Sequence, residues 1–324
     1  MQHPLTNDTM LLIPITSFDG SVLTFDFPAL HIGVAEYQEG PTGCTVFSFP
    51  DGVDATVDLR GGSYGTFLSN ELQYGDGWLH AICFAGGSAY GLEACAGVGA
   101  ELFAARGYST KQIALVAGAV IYDFGKRENV IYPDKALGRI ALRTARSGSF
   151  PLGPHGAGCS ANVGKGFDRT DGESAGQGGA FRQVGPTKVA VFTVVNAKGA
   201  IVNRQGRVVR GHLDQKTGER YQIQENLEQR RIALEQTPFL QENTTLTLVV
   251  TNQKLVGYTL RQMARQVHTS MARAIQPFQT VTDGDVLFAV TTNEVENALL
   301  DGMALGVVAS ELAWDAVLSS FQPG

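Results

Sequence analysis

The run Thr244-Thr-Leu-Thr-Leu-Val-Val-Thr251 constrains this chain more than any other stretch. Its β-branched and aliphatic side chains suit a pleated, buried surface, so it reads as a core strand. What precedes it has the opposite character. Residues 204–242 carry 13 charged residues in 39, against 17% for the whole chain, and close on Gln236-Thr-Pro-Phe-Leu-Gln-Glu, as a solvated connector would. The chain therefore passes abruptly from loop to core at Thr244.

Elsewhere sheet and helix signals alternate. Residues 21–59 set apolar runs such as Val22-Leu-Thr-Phe-Asp-Phe27 between the turn signals Asp19-Gly20, Gly40-Pro-Thr-Gly43 and Asp51-Gly52, which is the pattern of hairpins and meanders. Between Gly86 and Gly107 the chain is too rich in Ala and Leu, and too long, for a strand; it predicts a buried helix with Ser88 as N-cap. Gly91, Gly97 and Gly99 inside it each cost up to about 1 kcal/mol against Ala, a loss that close packing or a site has to repay. A strand is expected over 113–122, and Asp134 can cap a helix carrying Leu137, Ile140 and Ala141. Strands follow over 189–195, 200–203 and 207–210. Leu260, Met263, Ala264, Val267 and Met271 then recur at helical spacing and stop before Pro277, ahead of a strand over 286–292 and a closing helix over 302–319. Sheets and buried helices at both ends predict an α/β domain with helices packed outside stacked, mixed sheets.

With 324 residues, 44% of them hydrophobic, the chain can bury a substantial core without staples. A net charge of −6, with no basic cluster interleaved with aromatics, argues against nucleic acid as a partner. Cys44, Cys83, Cys95 and Cys159 form no C-x-x-C pair and read as buried free thiols. The first 59 residues hold no Lys or Arg, so the positive start of a secretory signal is missing. The longest apolar stretch, 113–122, is about half of what a membrane-spanning helix needs. A cytoplasmic protein with no membrane span is expected.

The common catalytic signatures fail. Ser88 is not in a G-x-S-x-G elbow and no H-E-x-x-H occurs. The run Gly156-Ala-Gly-Cys-Ser-Ala-Asn-Val-Gly-Lys165-Gly lacks the first Walker glycine and has Gly166 where Ser or Thr must bind magnesium. Neither a metal nor a cofactor is expected, and the histidines read as structural. Asn243-Thr244-Thr245 is formally a glycosylation sequon, which matters only in a secreted chain. Read alone, these residues are simply a loop meeting a strand.

A resemblance adds to that reading. Ala85-Gly-Gly-Ser-Ala-Tyr-Gly-Leu-Glu-Ala94, Tyr132-Pro-Asp-Lys-Ala-Leu-Gly138, the run Gly156 to Lys165, Asn243-Thr244-Thr245 and Thr282-Asp-Gly-Asp-Val-Leu-Phe-Ala-Val-Thr-Thr292 occur in collinear order. Together they resemble the L-aminopeptidase/D-esterase family of self-processing N-terminal nucleophile hydrolases. The resemblance implies a precursor cut between Asn243 and Thr244 into a long chain, 1–243, and a short chain, 244–324. The two would stay together as a single-domain, four-layer α-β-β-α sandwich, and a tetramer of such two-chain units is expected. It also implies Thr244 as the nucleophile and a small linear amide as substrate.

The same resemblance gives roles to distant residues. A Thr hydroxyl needs a base within reach, and the α-amino group freed by cleavage supplies one with an ordinary pKa of about 7.7 to 8.0. Lys165 matches an active-site lysine whose charge favours the deprotonated hydroxyl and the neutral amine. Asn196, at the end of the strand over 189–195, matches an asparagine whose amide can donate to an oxyanion. Asp283 and Asp285, which by themselves make an Asp-Gly-Asp turn, match paired carboxylates that hold the Thr amine and hydroxyl. Tyr122 matches a tyrosine that binds substrate. Thr244 with two aspartates favours the branch that cuts linear amide oligomers over the β-aminopeptidases, which pair Ser with Glu. An aminopeptidase of β-peptides or short peptide amides, an acyltransferase using the same acyl-Thr, and an uncleaved binding protein remain the alternatives.

Overall fold

The computed structural model describes residues 4–74, 77–125, 127–165, 172–224 and 243–322. The latter part of the charged connector, including the run 236–242, lies outside the described residues. Ten strands form the main sheet: β1 (Pro14–Ile15), β2 (His31–Tyr37), β3 (Thr42–Gly61), β4 (Gly65–Phe67), β5 (Gly77–Ala85), β6 (Val116–Val120), β7 (Gln177–Val184), β8 (Thr187–Asn196), β9 (Thr244–Gln253) and β10 (Gly284–Val295). They run in the order β7-β8-β9-β10-β3-β5-β6-β4, with β2 paired to β3 and β1 to β2. The neighbours β9/β10 and β5/β6 are parallel and the other pairs antiparallel, so the sheet is mixed.

The strand β3 joins the two arms of this sheet. This strand is 20 residues long. Its first half pairs with β2, its second half with β10, and its register to β5 shifts between Ser48 and Val53. The two arms that it joins share a central core, where Phe47 meets Phe192 with ring centroids 5.3 Å apart and Phe84 meets Phe288 at 6.1 Å. Helices cover the other faces. Helix α1 (Ser88–Ala105) lies over β5 and β6, and α2 (Lys135–Arg143) packs beside it over β2 and β3, so that Cys95, Val98 and Leu137 share a core with Cys83 and Val116. Helices α3 (Gly257–Ser270) and α4 (Gly302–Leu318) cover the arm β7 to β10, with Met263, Val267, Leu305 and Leu312 against Val191, Val249 and Leu287.

Local signals explain most of these elements. Asp134 caps α2 by accepting from the Leu137 N–H at 2.9 Å. The predicted face of α3 is buried, and its His268 places Nδ1 2.9 Å from Asp58 Oδ2. Helix α1 departs from prediction at its start. Gly87, with φ 76°, holds the N-cap position, and Ser88 is the first helical residue at φ 54°. A left-handed backbone favours glycine. The Gly87 N–H finds its acceptor in Asp123 Oδ1 at 2.9 Å, a carboxylate from beyond the end of β6, and no side chain caps the helix. Gly97 does repay its cost, since a Cβ there would fall 2.3 Å from the Lys135 carbonyl oxygen of α2; at Gly99 the nearest atom is 3.9 Å away. The strand expected over 113–122 shortens to β6, which frees Tyr122 and Asp123 beyond its end. Cys44, Cys83 and Cys95 are buried free thiols, whereas Cys159 is half-buried. Among the described residues no helix is long and apolar enough to cross a membrane.

Candidate active site

Three strand ends meet at Thr244. It begins β9, and Asn196, the last residue of β8, is its antiparallel partner. On the other side Asn243 bridges to Asp283, immediately before β10 begins at Gly284. Thr244 and Asn243 are 5% and 6% exposed, so the Asn243–Thr244 peptide bond is inside the fold. The Thr244 hydroxyl donates to the Asn243 carbonyl oxygen at 2.6 Å. The same oxygen accepts the Gly284 N–H at 2.8 Å.

Both aspartates are buried and grip the backbone around this bond. Asp285 accepts the Thr245 N–H at 2.7 Å and the Gln279 N–H at 3.1 Å. Asp283 accepts the Thr280 N–H at 2.9 Å, the Thr280 hydroxyl at 2.5 Å and the Lys198 N–H at 3.3 Å. Burial pushes the Asp285 carboxyl well above its ordinary 3.8, and the neighbouring Asp283 charge pushes it the same way against the pull of the two N–H donors. In the intact chain the Thr244 hydroxyl bond is to the Asn243 carbonyl, and Asp285 holds the Thr245 amide that follows.

Lys165, Asn196 and Tyr122 form the adjoining wall. Lys165 Nζ donates to Asn196 Oδ1 at 3.0 Å and to the Asn196 carbonyl at 3.2 Å. Asn196 Oδ1 also accepts the Asn162 N–H at 3.0 Å, and Nδ2 donates to the Tyr122 carbonyl at 3.0 Å. Asn196 therefore ties the Lys165 loop to the end of β6. All three residues line a cleft of about 360 Å³, together with Asp123, Arg127 and Cys159. Thr244 is not among the residues lining it.

Sequence reasoning missed the Asp123–Arg127 pair at this cleft. Arg127 Nη2 meets Asp123 Oδ1 at 2.6 Å, with both side chains almost wholly buried. Thr42 Oγ1 donates to Asp123 Oδ2 at 2.6 Å, and Arg127 Nη1 donates to the Ile131 carbonyl at 2.7 Å. The only available signal was a spacing of four, which on its own also fits an exposed pair. Gly284 was missed as well, because its contribution is made by a backbone N–H that any residue type except proline carries, and Thr280 because its N–H and hydroxyl act on a neighbour within an ordinary turn. Among the described residues no three of His, Cys, Asp and Glu converge as a metal site.

A sheet flanked by helices, with a threonine at a buried strand start, is the frame of an N-terminal nucleophile hydrolase. Solved structures share it at low identity. The L-aminopeptidase D-Ala-esterase/amidase of Ochrobactrum anthropi, whose structure is described as a variant of that fold, superposes with a TM-score of 0.66, 16% identity and coverage of 94% of this chain and 88% of that one. A Burkholderia β-aminopeptidase gives a TM-score of 0.62 at 17% identity, covering 93% and 88%. Sequence comparison is closer: the 6-aminohexanoate-oligomer endohydrolase of Agromyces sp. (strain KY5R) is 46% identical over 333 residues, 97% of this chain and 90% of that protein. The model of peptidase family S58 matches residues 23–321. The chain belongs to peptidase family S58 and is an amidohydrolase or peptidase of the N-terminal nucleophile type.

Proposed function

We propose that this protein cuts its own Asn243–Thr244 bond and then hydrolyses linear amides, 6-aminohexanoate oligomers among them, with Thr244 as nucleophile. The observation that carries the reading is the Thr244 hydroxyl, buried and resting on the carbonyl that it would attack. In the precursor the hydroxyl oxygen adds to the Asn243 carbonyl carbon, the C–N bond breaks, and the acyl group passes from nitrogen to oxygen while the hydroxyl proton ends on the departing amine. Water then opens the ester, leaving Asn243 as a carboxylate and Thr244 with a free amino group. That amine is the base for the next hydroxyl, so processing makes the catalyst.

In the mature enzyme the same steps run on a substrate amide through an acyl-Thr244. Lys165 favours the neutral amine by its charge, and Asn196 holds Lys165 and the Tyr122 backbone at the cleft. Tyr122 meets the substrate. Asp285 holds the new chain terminus through the Thr245 amide, Asp283 secures the loop beside it through Thr280, and the two neighbouring acids take part in proton transfer. The substrate assignment is supported by the 46% identity to an oligomer endohydrolase and by Thr244 standing with two aspartates. The mature protein is then two chains, 1–243 and 244–324, in one four-layer sandwich, assembled as a tetramer.

Intact mass and N-terminal sequencing test the processing step. Wild type should give two chains, the shorter beginning at Thr244; Thr244→Ala should stay whole and fail to hydrolyse 6-aminohexanoate oligomers. A cut elsewhere, or a split Thr244→Ala chain, would remove Thr244 from the mechanism.

A further inference from the structure

We infer that the main-chain N–H of Gly284 is the donor that stabilises the oxyanion formed when the Asn243–Thr244 bond cleaves itself. The inference rests on the processing reading above. As the Thr244 oxygen bonds to the Asn243 carbonyl carbon, the carbonyl π electrons move onto its oxygen, and negative charge builds on the atom that already accepts the Gly284 N–H at 2.8 Å. The charge returns to the carbonyl when the C–N bond breaks. A donor aimed in advance at such an atom, in a site closed to water, acts without reorganising.

The surroundings keep this N–H in place. Gly284 lies between the two buried aspartates, and Asp283 and Asp285 are anchored on either side by the amides of Thr280, Lys198, Thr245 and Gln279. The Asp283 carbonyl in turn accepts the Ser63 N–H at 3.0 Å. Gly284 cannot be larger without moving this assembly: a Cβ would stand 2.1 Å from the Ser63 carbonyl oxygen and 2.8 Å from Tyr64 Cα. The Asp-Gly-Asp motif accordingly does two things, with acids at its ends and a close-packed donor in the middle.

The bond also continues the register of the parallel ladder between β9 and β10, so the test must separate a catalytic donor from a structural one. Glycolic acid placed at 284 by cell-free translation replaces the N–H with oxygen and leaves the side chains intact; an α-hydroxy acid at Val286 supplies the ladder control. With Gly284 as oxyanion donor, processing at the 284 ester slows by about 10²- to 10³-fold, the usual effect of losing one such donor, while the 286 ester processes within a few-fold of wild type. Equal rates at the two positions would overturn the inference. If the 284 ester does not fold, hydrogen exchange in the Thr244→Ala precursor decides: a Gly284 amide that exchanges as fast as an unprotected one rules the donor out. Failure of wild type itself to yield two chains sinks the processing reading instead, a different outcome from normal cleavage of the 284 ester.

Discussion

At Asp123 a buried carboxylate meets a guanidinium; at Asp283 and Asp285 two buried carboxylates meet each other. The first is compensated, with Arg127 on Oδ1, the Gly87 N–H beside it and the Thr42 hydroxyl on Oδ2. It joins α1, β3 and the end of β6; burial raises the Asp123 carboxyl above its ordinary 3.8, and the Arg127 charge, the Thr42 hydroxyl and the Gly87 N–H pull against that rise. The second is held by main-chain N–H groups and one hydroxyl, and burial and the Asp283 charge both raise the cost of ionising Asp285. A charge that is matched fixes geometry. A pair that shares unfavourable charge instead becomes responsive to protons, and it is this pair that stands beside the Thr244 junction.

The largest effect that sharpens the contrast is functional. Asp285→Asn should lower the rates of processing and of amide hydrolysis by about 10² to 10⁴-fold, the range for loss of a positioned acid or base. Gel time courses and product analysis measure both. Rates close to wild type would reduce Asp285 to the same anchoring part as Asp123. The next effect is on stability. Arg127→Met leaves Asp123 buried without its cation and should cost about 3 to 5 kcal/mol in denaturant unfolding, and adding Asp123→Asn should recover a good part of it. A loss under 1 kcal/mol would mean that the pair is not what holds α1 to the cleft.

The smallest effect is a slope with pH. The Asp285 carboxyl is raised above its ordinary 3.8 in the fold, so the folded chain binds this proton more tightly than the unfolded one. The stability this adds is fully present below the unfolded pKa and is lost as pH rises through the folded value. Relative to Asp285→Asn, wild-type stability should fall as pH climbs above about 4, by no more than about 1.4 kcal/mol per pH unit. Chemical denaturation across pH measures it, and parallel curves would show that Asp285 ionises normally.

Much of the fold was legible because it is encoded over short distances. Period-two alternation, the Thr-rich run at 244, the Asp134 cap and the stripe Leu260, Met263, Val267 each depend on neighbours within a few residues, and each element is found where the pattern puts it. The site was legible only through resemblance: Lys165, Asn196, Thr244 and Asp283 are separated by tens of residues, and no local pattern says that three strand ends meet.

The abrupt passage from charged connector to buried strand at Thr244 was determined by the sequence alone, since burial preference is a property of side chains. Tertiary structure decided the rest. The register of β9 between β8 and β10 puts Asn196 and Asp283 on either side of the junction. The length of β3 carries it from one arm of the main sheet to the other. Asp123, not Ser88, serves the start of α1, and the Gly284 amide reaches the Asn243 carbonyl. These are contacts between segments far apart in the chain, made largely by backbone groups that almost every residue carries, so they arise from how strands pair rather than from which residues are present.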